Sequence, residues 1–212
     1  MVACGDADAM VTGLTRSWMV SYTDIARVLD PRPGELPFGL TMMVARGRTV
    51  FISDTNVHAN PTPSELADIA VGSARVARAL GHEPRVAMLS FSNFGNPWRE
   101  KAQRVRDAVE ELDRRKVDFM YDGEMNVDMA LDADLRERFF PFSRLKGPAN
   151  VLIMPALHTA DVSTRLLHQL GGGTMIGPIL VGMEKPAQIV NLRASVADLV
   201  QAAVLAAYQS VR

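Results

Sequence analysis

Cysteine is almost missing: Cys4 is the single one in 212 residues. An internal disulfide framework is excluded, and with twelve methionines and no secretion signal the expected compartment is a reducing cytoplasm. An excess of either charge is missing too. The chain balances 23 Lys and Arg against 24 Asp and Glu for a net charge of −1, which leaves no electrostatic case for nucleic acid or an anionic membrane as partner. No apolar run approaches the roughly 20 residues that a bilayer-spanning helix needs. The four histidines, His58, His82, His158 and His168, are scattered. None pairs with Cys4 or with another His at metal-ligand spacing, so no metal site is expected. There is no repeat of solenoid period and no low-complexity segment.

Generic catalytic motifs are absent as well. No GxGxxG opens a helix, which removes the nicotinamide fingerprint, and no GxSxG forms a nucleophile elbow. Gly171-Gly172-Gly173-Thr174 lacks the Lys-Ser/Thr ending of a phosphate loop and follows a helix, so it reads as a cap and turn. Cys4 has no His near it in sequence and no claim to be a catalytic thiol. Asp122 and Glu124 read as solvated or capping carboxylates, with the ordering of a loop or a divalent cation as the alternative.

What is present is a chain of 48% hydrophobic residues, enough for one large domain or two small ones. Ala9-Met10-Val11 reads as a short strand. Tyr22 to Leu29 reads as a helix capped by Ser21 or Thr23 and stopped by Asp30-Pro31-Arg32-Pro33-Gly34. Phe38–Ala45 and Thr49–Ser53 flank Arg46-Gly47-Arg48 as a hairpin. Thr62, Pro63 and Glu65 carry the cap, first-turn proline and capping-box spacing of a helix that runs to Gly81. Arg85–Leu89 is a buried-type strand with a polar loop, Ser90–Pro97, at its carboxyl end, where open α/β sheets bind ligands. A charged amphipathic helix over Trp98–Lys116 follows, then a strand at Phe119-Met120-Tyr121. Val127–Phe140 is a helix broken at Asp132, Val151–Met154 a strand, and Val162–Leu170 a helix. Repeated βα units with one hairpin predict an α/β fold whose sheet is mixed but mostly parallel.

The stretch Gly177–Val200 draws the eye. It runs from a Gly177-Pro178 turn through Ile179–Val181 and a second turn at Gly182–Pro186. A loop over Ala187–Ala194 then leads to a helix over Ser195–Gln209, rich in Ala, Val and Leu and so buried on a wide face or packed in an oligomer. Strand, loop and helix N-terminus in that order suit an anion, because free N–H groups and the helix dipole favour negative charge there. An ordinary αβ connection has the same pattern.

Several segments, in order, resemble the phosphate acetyltransferase/butyryltransferase family. They are Gly5-Asp6-Ala7-Asp8-Ala9-Met10-Val11-Thr12-Gly13, Asn60-Pro61-Thr62 before a Glu-Leu-Ala-x-Ile-Ala helix, Pro84–Ser90, Asp122-Gly123-Glu124, and Gly177-Pro178-Ile179 with Gly182 and Lys185-Pro186. A narrower set is similar to the carboxyl-terminal, phosphotransacetylase-like domain of large bacterial NADP-dependent malic enzymes: Arg46–Phe51, Val117-Asp118-Phe119, Tyr121–Met125, Gly147–Leu152 and Lys185-Pro186-x-Gln188-Ile189-Val190. The resemblance implies an α/β/α sandwich of the isocitrate/isopropylmalate dehydrogenase type, in two subdomains around a cleft. One subdomain would span about 35–185, and the helix at 195–209 would pack with the segment 1–34. The abrupt start implies that 1–212 is the later part of a longer domain. A homodimer or higher homo-oligomer is implied, as is a covalently linked malic enzyme portion that alone would carry NADP and a divalent metal.

Active transacetylases of the family have a Ser-Arg pair in a DLSRGCSxxD-like loop. Here the Ser falls on Asn191 and the Arg on Leu192, while the family Asp falls on Asp198 and is retained. An Arg of the early TADTxRP-like segment falls on Thr23. Leucine supplies neither the cation nor the donor that acyl-phosphate chemistry needs. The resemblance therefore implies a domain without acetyltransferase chemistry that binds acetyl-CoA as an allosteric effector. Candidate contacts are Asn191, Arg193 and Ser195, with Lys185 beside them and Ser92 and Asn93 in the strand-end loop. The competing expectations are a working phosphate acetyltransferase and a purely structural dimer module.

Overall fold

The computed structural model describes residues 1–211. Its elements are β1 (Met10–Gly13), α1 (Trp18–Ala26), β2 (Phe38–Ala45), β3 (Arg48–Ser53), α2 (Pro63–Ala79), β4 (Arg85–Leu89), α3 (Glu100–Arg115), β5 (Met120–Met125), α4 (Val127–Leu131), α5 (Ala133–Phe139), β6 (Val151–Ile153), α6 (Leu157–Leu170), β7 (Thr174–Val181), β8 (Ala187–Val190) and α7 (Val196–Ser210). Six strands form one sheet in the order β5-β4-β6-β3-β2-β7, and β1 and β8 form a separate parallel pair. The β5-β4, β4-β6 and β6-β3 pairings are parallel, and the β3-β2 hairpin and the β2-β7 pairing are antiparallel. The sheet is thus mixed and mostly parallel, as its sequence predicts.

Period-two alternation of apolar residues splits the core between the two faces of this sheet. Phe51, Val86, Met88, Val151 and Ile153 face α2 and α3 in one cluster. Their neighbours Ile52, Ala87, Leu89 and Leu152 join Met129, Ala130 and Ala160 of the opposite helices in another. Each Val, Leu, Ile, Phe or Met among them, fully buried, contributes about 1.5–3 kcal/mol, and each Ala less. The third cluster gathers Val2, Trp18, Ile25 and Leu29 onto Leu180, Ala187 and Ile189, and so joins the chain's two ends. Helix α7 packs on β1, β7 and β8.

Local signals hold where they are strong. The capping box at α2 is formed: Thr62 Oγ1 accepts from Glu65 N, and Glu65 Oε2 accepts from Thr62 N at 2.7 Å. The break at Asp132 separates α4 from α5, with Asp132 accepting from Leu135 N at 2.9 Å. Helix α1 differs from expectation. It begins at Trp18, capped by Ser17, and ends at Ala26. Ser21 is buried within it, and Thr23 donates back to the Met19 carbonyl at 2.9 Å, so neither is free to cap. Helix α6 begins earlier than its apolar pattern suggests, at Leu157, with no side-chain cap to announce it. Helix α7 buries a narrow strip, Ala202 and Ala206, rather than a wide face.

Three corrections fall on the carboxyl half. Gly177-Pro178 is not a turn but part of β7, accommodated by a register shift against β2 near Leu40–Met42. Pro178 is tolerated because β7 is the sheet's edge and needs no second row of N–H donors. Ala187–Val190 is not loop but strand β8, paired in parallel with β1 from Met10↔Ala187 to Gly13↔Val190. Asp122 and Glu124 are not solvated: they lie inside β5 at 4% and 0% exposure. Asp122 Oδ2 accepts from Ser143 Oγ and Arg144 N at 2.8 and 2.7 Å. Glu124 Oε1 accepts from Ser92 Oγ, Gly95 N and Arg106 Nη1 at 2.6, 2.9 and 3.0 Å. Burial of these charges is possible because flanking loops bring donors to them.

Candidate functional site

A cleft of about 670 Å³ opens along the free edge of β7, between α6 on one side and the β8–α7 connection on the other. Its wall follows β7 through Met175, Ile176, Gly177, Pro178 and Ile179, then the turn Asn191-Leu192-Arg193-Ala194 that leaves β8, then Asp198, Gln201, Ala202 and Leu205 of α7. Trp18, Thr41, Thr55 and Asn56 also line it. The turn closes with Ala194 N donating to the Asn191 carbonyl at 3.0 Å. The side chains of Asn191, Leu192 and Arg193 are exposed.

Charges on the wall are few. Arg165 Nε donates to both carboxylate oxygens of Asp161 at 2.8 Å, one turn away on α6. That hydrogen bond, then the charge of Asp161, raises the guanidinium pKa further. The pair neutralises itself. Arg193 makes no ion pair or side-chain hydrogen bond among the described residues, which leaves its charge available to the cleft. Asp198 is held in the cap: its Oδ2 accepts from Ser195 N and Ser195 Oγ at 2.7 and 2.8 Å, and Ser195 Oγ accepts from Asp198 N at 3.2 Å. This capping box gives the retained aspartate a structural task at the start of α7.

Of the positions singled out in the sequence, Asn191, Leu192, Arg193 and Asp198 come together on the cleft wall. Ser195 stands next to them as the α7 cap, outside the lining. Lys185 is exposed in the β7–β8 turn and does not line the cleft. Ser92 is buried and spent on Glu124, and Asn93 accepts from Asn126 N at 2.7 Å; both lie in the β4–α3 loop, away from the cleft lining. Thr23 is exposed on α1, also outside it.

Other cleft residues escape a reading of motifs. Thr41 and Thr55 share a hydroxyl hydrogen bond at 3.1 Å. Trp18 Nε1, a donor, and Asn56 Oδ1, an acceptor, are buried with no hydrogen-bond partner among the described residues. Gln188, 2% exposed, pairs with both backbone groups of Leu180: its Oε1 accepts from Leu180 N at 3.0 Å and its Nε2 donates to Leu180 O at 3.1 Å. The same Nε2 donates to Gln209 Oε1 at 2.8 Å, which ties the cleft floor to the end of α7. Behind Thr55 and Asn56 sits Asp54, 3% exposed. Its Oδ1 accepts from Gly39 N, Asn56 N and Val57 N at 2.9, 2.8 and 3.1 Å, and its Oδ2 from Val57 N and His58 N at 3.1 and 2.6 Å. The legible signal for Asp54 is an Asp directly after a strand, the usual start of an Asx turn.

Residues 1–207 of this α/β chain match the phosphate acetyl/butaryl transferase family. The chain belongs to that family. It is 54% identical over 210 residues to the NADP-dependent malic enzyme of Rhizobium meliloti, a match covering 99% of this chain and 28% of that protein. A probable NADP-dependent malic enzyme of Rickettsia prowazekii is 42% identical over all of this chain and 29% of its own length. The chain thus spans under a third of the malic enzymes it matches, and corresponds to their phosphotransacetylase-like, carboxyl-terminal part. Phosphate acetyltransferases match as well, that of Corynebacterium glutamicum at 32% identity over 99% of this chain and 64% of its own. Among solved structures, a phosphotransacetylase from Streptococcus pyogenes superposes with a TM-score of 0.93 at 30% identity, over 99% of this chain and 65% of that one.

Proposed function

We propose that this chain is the regulatory and oligomerisation domain of an NADP-dependent malic enzyme, that it binds acetyl-CoA in the β7–α7 cleft as an effector, and that it carries out no acetyl transfer. The observation that carries the proposal is the state of the cleft wall. A ligand-sized cleft is kept, yet Asn191 and Leu192 stand where the transferase family has its Ser-Arg pair. Affinity without turnover is what an effector site requires. Oxidative decarboxylation of malate to pyruvate, with NADP and a divalent metal, belongs to the remainder of such an enzyme. The two-subdomain organisation of the isocitrate/isopropylmalate dehydrogenase type belongs to the same proposal, as does a cytoplasmic location.

Chemistry on the wall suits the ligand. Arg193 offers an uncompensated cation to a phosphate, and a charge-assisted contact of that kind is stronger than a neutral one. The buried donor Trp18 Nε1 and the buried acceptor Asn56 Oδ1 are costly while unpaired, and the amide groups of a pantetheine arm present both complements. Regulation then follows if two states of the full enzyme differ in affinity for acetyl-CoA. Self-association has its own support: in fifteen residues α7 carries one charge, Asp198, and it exposes Val196, Val200 and Val204 at four-residue spacing along one face.

Calorimetric titration with acetyl-CoA tests the effector role. Saturable binding is expected, weakened about tenfold by Arg193→Ala, the loss of roughly 1.4 kcal/mol. No binding by the wild type leaves a purely structural module. The rival reading, a working phosphate acetyltransferase, draws on the acetyltransferase relatives. It takes over if the purified chain forms acetyl-CoA from acetyl phosphate and CoA.

A further inference from the structure

The chain has thirteen aromatic residues, eight Phe, two Trp and three Tyr. Six of them fall on two loops at one end of the six-stranded sheet. Phe91, Phe94 and Trp98 belong to the β4–α3 connection, and Phe139, Phe140 and Phe142 to the end of α5 and the turn after it. The loops touch through their rings: Phe94 lies 5.0 Å from both Phe140 and Phe142, and Phe140 lies 6.0 Å from Phe142. Phe91, Trp98, Phe139 and Phe142 are nonetheless each between 55% and 67% exposed.

This end is not floppy chain that happens to be greasy. The β4–α3 loop is closed by reciprocal bonds between Asn93 and Asn96, and it is anchored to β5 by Phe94 N donating to Glu124 O at 2.8 Å. The buried Glu124 gathers Ser92, Gly95 and Arg106 beneath it. A buried ionic cluster thus holds a rigid loop whose outer surface is aromatic. Pre-ordered aromatic side chains cost little entropy on docking, and aromatics with Arg are the residues enriched at interface centres.

We propose that this aromatic end is the docking surface for the malic enzyme portion of the same polypeptide; the proposal rests on the malic enzyme parentage given above. Two observations choose that occupant over a second copy of this chain. First, composition separates two unpartnered faces. The stripe on α7 is aliphatic and almost free of charge, the character of permanent homodimer contacts. The aromatic end is rimmed by cations, Arg99, Lys101 and Arg138, none of them in an ion pair among the described residues, with Arg138 5.7 Å from the Phe139 ring. Glu100 and Glu137 alternate with them in sequence. A polar, mixed-charge rim around aromatic anchors is the character of a contact between domains of one chain. Second, this chain covers 28% and 29% of the malic enzymes matched, so the larger part of such a polypeptide lies outside it and is at hand in cis to cover the face.

The test places this chain in the Rhizobium meliloti enzyme in exchange for the matching segment, and compares amide hydrogen exchange in the chimera with that of the free chain. Peptides covering 90–99 and 138–143 are expected to exchange at least tenfold more slowly in the chimera. The Trp98→Ser/Phe142→Ser double variant, altered only at exposed side chains, is expected to lose that protection while its oligomeric state is unchanged. Equal exchange in chimera and free chain overturns the proposal. So does protection already present in the free chain that rises with its concentration, which assigns the surface to a second copy. Malate oxidation by the chimera reports separately on parentage: an active chimera with unprotected loops rejects the surface alone, and an inactive, unprotected one rejects both.

Discussion

Replacing Asp54 by asparagine is expected to be among the most damaging single-atom-scale changes in this chain. The carboxylate is 3% exposed and accepts five hydrogen bonds from four backbone N–H groups. Asparagine keeps one carbonyl oxygen, enough for the bonds from Gly39, Asn56 and Val57 on Oδ1. Its amide nitrogen would stand where Oδ2 now accepts from Val57 and from His58 at 2.6 Å, so donors would face donors. A hydrogen bond to a charged group contributes about 1.5–3 kcal/mol, and a stranded buried donor costs about 1–3 kcal/mol. The net expectation is a loss of about 2–4 kcal/mol out of a typical 5–15 kcal/mol. At roughly 2–4 °C per kcal/mol for a chain of this size, the midpoint of thermal unfolding drops by about 5–15 °C. Urea unfolding followed by circular dichroism measures the loss of free energy, and a thermal scan the shift in midpoint. A loss below about 1 kcal/mol, with an unchanged slope against denaturant, would refute the claim that this carboxylate organises the 54–58 turn. Because Thr55 and Asn56 line the cleft from that turn, any ligand affinity is expected to fall with stability.

Three further outcomes are expected. Ser195→Ala removes the α7 cap and the donor to Asp198, and should cost about 1 kcal/mol in denaturant unfolding; no change would mean that Asp198 is retained for another reason. Gly13→Ala sets a Cβ 2.1 Å from the Val190 carbonyl oxygen at a φ of +125°. It should part β1 from β8, destabilise by at least about 2 kcal/mol, and widen the cleft beside Val190, visible as lost amide protection in both strands. Burial, and then a hydrogen bond to Asp113, push the Tyr121 phenol up to about 12. Its folded value lies above its unfolded one, so its stabilising share is complete below about pH 10 and is lost as pH rises through about 12. Tyrosinate absorbance should therefore show a late-titrating ring whose pKa falls in Asp113→Ala but stays above the ordinary value, because burial, the larger cause, remains.

Much of the fold is legible because its signals are local. The Arg46-Gly47-Arg48 hairpin, the Thr62–Glu65 capping box and the Arg85–Leu89 strand each need only their own few residues. Strand β8 is a different case. Ala187–Val190 is four residues bounded by Pro186 and an exposed turn, and its partner β1 lies at the other end of the chain, so nothing nearby announces a strand. Asp122 and Glu124 mislead for a related reason. Carboxylates at a strand's end normally seek water, and only the tertiary arrival of Ser143, Arg144, Ser92 and Arg106 makes their burial tolerable. At the site, the wall of Asn191, Leu192 and Arg193 is legible through family register. The floor is not: Trp18, Thr41, Asn56 and Gln188 come from four separate segments and share no spacing that could reveal them.

Gln188 has a mechanical consequence. Two strands laid side by side are usually closed like a zip, backbone to backbone, and can part only by breaking a row of bonds. Between β7 and β8 the fastening at Leu180 is one side-chain amide, a stitch rather than a zip. A stitch lets the two pieces of sheet tilt about a single point. Widening the cleft alongside β7 would break the one or two hydrogen bonds of that stitch, on the order of 1–3 kcal/mol, and would also open the buried packing of Leu180, Ala187 and Ile189. The second hold of the same amide, on Gln209, carries such a tilt to the far end of α7.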